Sequence, residues 1–476
     1  MAYSQNPAII FQNTDETVYL IDTPESIAHA QVLQTTVSNQ ECVPTGKTSK
    51  RSLISTVPLM TPYSSRTEPK KDSARAKILS RISPSDQRFH GEFIQPLVAS
   101  ALDELRDRFL PSDARWCVPR TIQNETVHGK ELSHSFNPSI KKRKLENPQN
   151  VHSPLHQVDN TSPISLTGPP TILSSSSVNI FSLTSELEGL VKNPSSEEAI
   201  LSISTIGHDG KRSSSEYLIP PQSAFVLCTL PLSQPDPLET PIPGIPGSQR
   251  FNLILFDPPW PNRSVHRSKE YQTHSYDEMN VLSQRLHDIL RVHAYDPSPD
   301  DFPKSATQVS SQESFAAIWI TNSEKARKVA YESLLASGFR IHEEWIWIKI
   351  TADGQTVYPL DGLWRKPYEI LVIGRKDTSP VVLDAGRTIS QENDLLGVDP
   401  STITRRVIAA VPDLHSRKPN LKSVFERVLF GSTLSTRKSY SALEVFARSL
   451  TSEWWACGNE VVKFNSRDCW FDHDST

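Results

Sequence analysis

The chain contains the stretch Phe251-Asn252-Leu253-Ile254-Leu255-Phe256-Asp257-Pro258-Pro259-Trp260, an apolar run followed at once by an acidic, aromatic turn. A nearly continuous apolar run is typical of a parallel strand that is buried on both faces. In open α/β sheets, ligands bind beyond the carboxyl ends of the strands. We therefore predict that this strand delivers the turn that begins at Asp257 to a ligand site.

Apolar runs and helical stretches alternate on both sides of this stretch, which predicts one α/β catalytic domain with a mostly parallel sheet over residues 200–470. The predicted strands are Phe225–Leu230, Phe251–Phe256, Phe315–Ile320, Glu344–Ile350, Glu369–Gly374, Arg406–Val411, Ala442–Phe446 and Val461–Phe464. Periodicity and end signals predict helices at Asp277–His293, Ser323–Ser337 and Asn420–Phe430.

The first 199 residues have a different composition. Residues 33–80 and 121–180 are rich in Ser, Thr and Pro without a sustained period, which is typical of linkers or disorder. Between them, apolar residues at helical spacing, interrupted by Pro96, predict a helical segment. We predict a mostly disordered region over 1–84, a helical docking segment over 85–120 and a low-complexity linker over 121–199. The docking surface for the helical segment is the catalytic domain, a protein partner or the substrate.

The predicted linker contains the basic cluster Lys141-Lys142-Arg143-Lys144. Nuclear import receptors recognise exposed clusters of this kind, and a solvated charge run is the alternative interpretation. We expect the protein in the nucleus, with the cytoplasm as the alternative.

Composition restricts the class of protein. Apolar residues make up 37% of the 476 residues, and the net charge is -4, so a histone-like polycation is excluded and nucleic-acid binding requires a local basic surface. The five cysteines form no C-x-x-C pair, which favours a reduced intracellular compartment and gives no zinc-finger pattern. No apolar stretch of membrane-spanning length and no signal-peptide pattern occurs. We expect a protein that is not secreted, with no membrane contact and no metal site.

The turn Asp257-Pro258-Pro259-Trp260 carries groups that suit one particular reaction. The exocyclic amine of adenine is a poor nucleophile because its lone pair is delocalised into the ring. The Asp257 carboxylate and the main-chain carbonyl after it can each accept a hydrogen bond from that amine, which localises the lone pair. The prolines preorganise the turn, and Trp260 offers a face on which an extruded base stacks. Alternatively, the prolines end the strand, Trp260 belongs to the core and Asp257 caps a turn.

Six further blocks, in order and spacing, resemble the MT-A70 family of adenine N6-methyltransferases, and especially its methyltransferase-like-four branch. The resemblance covers about residues 215–465. Its blocks are the continuation of the turn to Tyr271, then Glu344–Ile350, Lys366–Glu369 with Gly374-Arg375, His415–Pro419, Leu443–Arg448 and Gly458–Phe464. It implies a Rossmann-like, doubly wound fold of the S-adenosylmethionine-dependent methyltransferase type, circularly permuted so that the catalytic block precedes the main cofactor block.

The resemblance also implies a binding site for S-adenosylmethionine. It places Lys418 near the amino-acid carboxylate of the methyl donor, and Arg448, Asn459 and Glu460 near its ribose. Asp257 borders the same pocket. Relatives often carry an acidic residue that meets the donor's adenine, and here Thr229 takes that place beside Leu230. A threonine hydroxyl and the main chain at Leu230 can still supply hydrogen bonds.

Basic residues after the catalytic turn are candidates for substrate contact. Arg263, Arg267 and Lys269 are predicted to form a basic lip that grips phosphates near the extruded base, and a solvated loop is the alternative. Asn262, beside them, is a further candidate for substrate contact. Lys366, in a later block, is a further candidate. The alternating Trp345 and Trp347 are predicted to pack in the core rather than to stack on bases.

The function predicted from these residues is methyl transfer to the N6 amine of adenine in nucleic acid, with RNA, such as small nuclear RNA, favoured over DNA. The alternative from another class is a catalytically silent nucleic-acid-binding subunit of a methyltransferase complex. A cytosine or small-molecule amine methyltransferase shares the same lone-pair chemistry and is disfavoured only by the resemblance.

Overall fold

The computed structural model describes residues 6–33, 51–64, 68–109, 115–122, 168–182, 187, 189–206, 212–232, 237–260, 279–296, 313–376, 398, 400–414, 417–431 and 439–473. Its strands are β1 Ile9–Gln12, β2 Val18–Ile21, β3 Arg51–Leu53, β4 Thr171–Ile172, β5 Asn179–Phe181, β6 Leu190–Lys192, β7 Ala199–Ile206, β8 Arg212–Ile219, β9 Ala224–Leu227, β10 Leu253–Phe256, β11 Phe315–Ile320, β12 Phe339–Lys349, β13 Tyr368–Lys376, β14 Thr404–Ala410, β15 Ala442–Val445, β16 Trp455–Gly458 and β17 Trp470–Asp472.

The α-helices are α1 Thr23–Ala30, α2 Asp72–Leu79, α3 Pro84–Arg88, α4 Gln95–Phe109, α5 Met279–His293, α6 Glu324–Ala336 and α7 Lys422–Val428, with a π-helical turn at Phe89–Ile94 between α3 and α4. None of the helices in the described ranges is long and apolar enough to cross a membrane. Over the same ranges, no group of His, Cys, Asp and Glu side chains is arranged to hold a metal ion.

Twelve of the described strands form one sheet, in the order β1-β2-β14-β12-β13-β11-β10-β15-β16-β9-β6-β4. The central strands β11, β10, β15, β16 and β9 run parallel to their neighbours in this series, whereas β13 is antiparallel to both β11 and β12. Helices α4, α5 and α6 contribute to the core on one face, and α7 contributes to the core on the other. The predicted doubly wound, mostly parallel α/β fold is therefore confirmed.

Strand β10 lies in the middle of this sheet and has no exposed face. Ile254 and Phe256 point into the core that includes α5, whereas Leu253 and Leu255 point into the core that includes α7. All four side chains are buried. A strand covered by helices on both sides must be apolar at every position, which explains the continuous run in the sequence.

Residues 6–33 differ from the predicted disorder over 1–84, because they form β1, β2 and α1. Strand β2 pairs in parallel with β14, and Val18 lies opposite Val407. Asp22 caps α1 by accepting from the main-chain nitrogen of Glu25. A four-residue strand gives a weak local signal, and its pairing partner is far along the chain, so sequence texture alone did not reveal it.

The predicted helical segment over 85–120 packs on the chain's own sheet. Ile94, Val98, Leu102 and Leu105 are almost fully buried in the core that also contains Leu20 of β2. The side chain of Asn13, which precedes β2, donates to Glu104 of α4 at 3.3 Å. The apolar face of α4 is therefore covered within the chain, so of the three docking surfaces predicted for it the catalytic domain is the one observed.

The predicted linker over 121–199 also contains structure at its carboxyl end. Strands β4 and β6 extend the main sheet beyond β9, and β5 joins β7 and β8 in a separate three-stranded sheet. The basic cluster Lys141–Lys144 lies outside the described residues. The Ser-rich run at 174–177 is a turn in which Asn179 holds the main chain of Ser174, so its composition reflected a turn between strands.

The predicted strand Val461–Phe464 is wrong. The strand beside β15 is β16, six residues earlier, and residues 463–465 form a 3₁₀ turn. Val461 and Val462 are both buried in the core that includes β7 and β8. These two adjacent apolar residues precede a turn and not a strand. Their sequence resembled a strand only because both side chains are buried.

We predict that the amino-terminal strands are required for the stability of the whole domain. Leu20 in β2 is fully buried. Leu20→Ala should lower the free energy of unfolding by about 2–5 kcal/mol, because a large buried side chain leaves a cavity. Chemical denaturation measures this change.

The matched control is Leu414→Ala, because Leu414 is 39% exposed. Its effect should stay within about 0.5 kcal/mol. Equal effects of the two substitutions would contradict the integration of β2 into the domain.

Candidate active site

The candidate site lies at the carboxyl edge of the central strands. The chain leaves β10 at Asp257 and continues to β11 on one side, whereas β15, on the other side of β10, continues to β16. The connections thus diverge between β10 and β15, which is the topological switch point where α/β sheets bind ligands. Asp257 thus lies at the edge of the sheet where ligands bind in α/β folds, as predicted.

Asp257 is held by two cations. Its Oδ1 accepts a hydrogen bond of 2.7 Å from the Nζ of Lys418, and its Oδ2 lies 3.8 Å from a guanidinium nitrogen of Arg448. Its main-chain nitrogen donates to Val445 at the end of β15. Because an ionised carboxylate has about four acceptor sites, Oδ2 retains acceptor capacity towards the pocket.

Lys418 links Asp257 to a second carboxylate, Glu369 at the start of β13. The Nζ of Lys418 lies 3.5 Å from Glu369, which also accepts a hydrogen bond of 2.5 Å from Lys349. Burial alone raises the pKa of Glu369, but Lys349 and Lys418 outweigh it and lower the pKa to about 2. Burial likewise lowers the pKa of Lys418, but Asp257 and Glu369 outweigh it and raise the pKa. Glu369 and Lys418 are therefore both charged at neutral pH.

Glu444 on β15 is a further carboxyl group beside Asp257. Burial and then the negative charge of Asp257 raise the pKa of Glu444 to about 8, against the weaker opposing effects of Lys418 and Arg448. Glu444 is therefore mostly neutral at pH 7. Sequence reasoning missed this residue, and the available signal was a lone carboxylate within the otherwise apolar strand Ala442–Val445.

Arg448 connects the catalytic turn to the end of β16. Its Nε donates to Glu460 at 3.0 Å, and Glu460 accepts from Lys463 at 2.8 Å. The chain reaches this position through Phe446, whose φ of 64° is unusual for a residue other than glycine. Gly458 adjoins it, and a Cβ there would lie 3.2 Å from the Cα of Phe446. The two strand ends therefore meet closely only because residue 458 is glycine.

Trp260 differs from the prediction of an open stacking face. The indole is 8% exposed, and its Nε1 donates to the carbonyl of Trp319 at the end of β11 at 2.6 Å. The main-chain nitrogen of Trp260 also donates to the carbonyl of Pro258 at 2.8 Å, which closes a tight turn around Pro259. The position of Trp260 matches the alternative in which it belongs to the core, and there it anchors the turn.

These residues border one pocket. It has an empty volume of about 650 Å³, part of it open to solvent. Its lining includes Asp257, Lys418, Glu444 and Arg448, together with the ring of Trp319. The pocket lining thus includes both charged groups and an aromatic ring.

Comparison with known proteins agrees with this geometry. The family model described as MT-A70 matches residues 305–460, a range that includes Lys418, Glu444 and Arg448 but begins after the catalytic turn. The resemblance to the MT-A70 family is therefore confirmed over residues 305–460.

Individual relatives extend the similarity beyond the MT-A70 match. The chain is 27% identical over 484 residues to the N6-methyladenosine RNA methyltransferase MTA1 of Pyricularia oryzae, covering 97% of this chain and 96% of that protein. It is 35% identical to the MTA1 protein of Cryphonectria parasitica over 47% of this chain and 55% of the relative. It is 30% identical to the N(6)-adenine-specific methyltransferase METTL4 of Mus musculus over 53% of this chain and 45% of the relative. The chain thus spans about half the length of the last two.

The structure brings the predicted MT-A70 site residues to neighbouring strand ends. Asp257, Lys418, Arg448 and Glu460 are connected by ion pairs. The adjacent β9 ends next to β16, and beyond their ends lie Thr229, Leu230 and Asn459. Of these three, Thr229 and Asn459 are exposed, whereas the side chain of Leu230 is buried.

Other predicted residues are less accessible or lie outside the described structure. Lys366 is half-buried, and burial lowers its pKa against the opposing charges of Asp86 and Asp361. Asn262, Arg263, Arg267 and Lys269 lie outside the described residues. Trp345 and Trp347 are buried, so their predicted packing in the MT-A70 core is confirmed.

We predict that Glu444 makes the stability of this MT-A70 domain depend on pH. A folded-state pKa of about 8, above the usual 4.5, means that the folded chain binds the extra proton. The resulting stabilisation is complete below pH 4.5 and is lost as the pH rises through 8. Glu444→Gln removes this loss, so its melting temperature should rise relative to the wild type between pH 5.5 and 8.5.

Thermal melting across that pH range measures the effect. Glu332→Gln is the matched control, because Glu332 is an exposed residue of α6. Parallel melting profiles for the wild type and Glu444→Gln would refute the assignment.

Proposed function

We propose that this chain is an S-adenosylmethionine-dependent methyltransferase that acts on the N6 amine of adenine in nucleic acid, with RNA, such as small nuclear RNA, favoured over DNA. The observation that carries the proposal is the carboxylate of Asp257, which accepts a hydrogen bond from Lys418 and lies at the switch point of the sheet. RNA is favoured because the relative that aligns along nearly the whole chain is named as an RNA methyltransferase.

The charges around the pocket fit S-adenosylmethionine. Lys418 and Arg448 offer positive charge to its carboxylate, and Glu444 offers an acceptor to its ammonium group. Glu460 and Asn459, beyond the end of β16, suit its ribose hydroxyls. Thr229 and the main chain at Leu230 would meet its adenine. When bound, the donor supplies an electrophilic methyl group.

The catalytic turn performs its role through hydrogen bonding. The Oδ2 of Asp257 accepts one hydrogen of the adenine amine, and the main-chain carbonyl of Pro258 accepts the other. That carbonyl is already fixed by the nitrogen of Trp260, so little reorganisation is needed. The amine lone pair then points towards the donor pocket, and the proton leaves after methyl transfer, once the amine is cationic.

We predict that Asp257→Ala lowers methyl transfer by at least about 100-fold, because it removes a preorganised polar partner of the reacting amine. Folding should persist, because Lys418 keeps Glu369 at 3.5 Å. The assay is mass spectrometry of nucleosides after reaction with defined RNA and DNA oligonucleotides. Titration calorimetry with the donor should show that binding is largely retained.

Asp103→Ala is the matched control, because Asp103 is 70% exposed on α4. Full turnover by Asp257→Ala would disprove the mechanism. Wild-type protein that binds nucleic acid but neither binds the donor nor forms N6-methyladenine would favour the silent subunit. The ratio of products from RNA and DNA tests the preferred polymer.

We also propose that the protein acts in the nucleus, on the basis of the cluster Lys141–Lys144. Imaging of a fluorescent fusion should show nuclear accumulation that is lost when these four residues are replaced by alanine. The same distribution before and after the replacement would contradict this role and favour the cytoplasm as the alternative.

A further inference from the structure

Helix α2 lies on the surface with no buried side chain. A helix of eight residues is marginal on its own, and one without a buried apolar face gains little from packing. Two anchors hold the segment instead. Glu68 accepts from the main-chain nitrogens of Leu363 and Trp364 at 3.1 and 3.0 Å, and Arg75 donates to Asp361 at 2.6 Å. Both anchors fix α2 to the loop that precedes β13.

That loop presents Trp364 to solvent. Of the nine tryptophans, all of which lie in the described residues, only Trp364 is exposed, at 57%. Its main-chain nitrogen is held by Glu68, so the exposed ring stands on a fixed backbone. Large aromatic rings are usually covered unless they serve a contact.

The loop leads directly into the candidate active site. Trp364 lies five residues before Glu369, which shares Lys418 with Asp257. Between them, Lys366 is half-buried beside Asp86 and Asp361. The exposed ring therefore borders the edge of the sheet at which the target adenine is presented.

The segment 68–81, which Glu68 joins to Trp364, carries five cations and two carboxylates, although the whole chain has a net charge of -4. Lys70, Lys71, Lys77 and Arg81 are exposed. Within the ranges that the structure describes, no carboxylate forms an ion pair with any of these four. Arg365 adds a fifth exposed cation, which donates to the hydroxyl of Tyr358. Cations that the fold does not neutralise are available to an anionic partner.

We propose that Trp364 and the cations of residues 70–81 form a binding surface for the single strand that flanks the target adenine. Trp364 stacks on a neighbouring base, and Lys70, Lys71, Lys77 and Arg81 contact its phosphates. Stacking tolerates any base because every base has a π-face, whereas phosphate contacts fix register without reading sequence. This inference rests on the proposed function for the direction in which the strand enters the active site, but binding of the strand is measured independently of methyl transfer.

The test uses the full-length protein and fluorescence anisotropy with a labelled single-stranded oligoribonucleotide, and with one that lacks adenine. Trp364→Ala should weaken binding by about 5- to 100-fold, and Trp364→Phe should restore part of it because a π-face remains. The double variant Lys71→Gln/Lys77→Gln should lower the slope of log Kd against log salt concentration by about 1.4, since each phosphate contact on a single strand contributes about 0.7.

The control is Arg250→Gln/Arg340→Gln. It removes two exposed charges at the opposite edge of the sheet, where β10 and β12 begin. The proposal predicts an unchanged salt slope for this control.

Each outcome decides between the two proposals. The proposed binding surface would be refuted if Trp364→Ala bound the oligonucleotide with unchanged affinity and the lysine variant had an unchanged salt slope. The same result is expected if this surface binds an acidic protein instead of nucleic acid. If those variants bind normally while the wild type methylates adenine, the surface fails and the proposed function stands. If they lose binding while the wild type methylates nothing, the surface stands and the proposed function fails.

Discussion

The ion pairs of Lys418 connect two strands at the edge of the sheet where the candidate active site lies. Lys418 joins Asp257 at the end of β10 to Glu369 at the start of β13, two strands that are not neighbours in the sheet. Its charge is largely withdrawn from water, and so are those of the two carboxylates. Removing one member of such a group leaves an uncompensated charge, which costs about 3–5 kcal/mol in buried pairs. Loss of Lys418 would remove this partner from both carboxylates, whereas loss of Asp257 leaves Lys418 paired with Glu369.

The same set determines what each carboxyl group can do. Lys349 and Lys418 lower the pKa of Glu369 and stabilise it as an anion, whereas burial and Asp257 raise the pKa of Glu444 and favour its neutral form. Two carboxyl groups near Lys418 thus differ: Glu369 stays ionised, and Glu444 titrates near physiological pH. The sheet brings these groups together because β10 and β15 end, and the antiparallel β13 begins, at one edge.

The sequence predicted the parts of this arrangement that leave a local pattern. A strand buried on both faces must be apolar throughout, so the apolar run before Asp257 predicted both this strand and the turn that follows it. Glu444 and Glu369 left no such pattern, because their roles come from charges on other strands. The strand predicted at Val461–Phe464 is a turn, and β16 was not predicted. Short buried segments are apolar whether their backbone is a strand or a turn, so composition does not distinguish them. The burial of Trp260 depends on the carbonyl of Trp319, which no local pattern reveals.

The position of β2 has a consequence for how the chain is made. Thr23, just after β2, donates to the carbonyl of Val411, 388 residues away. Strand β2 therefore obtains its parallel partner only after β14, far later in the chain, has been made. Pairings so distant in sequence form slowly, and unpaired strands invite aggregation meanwhile.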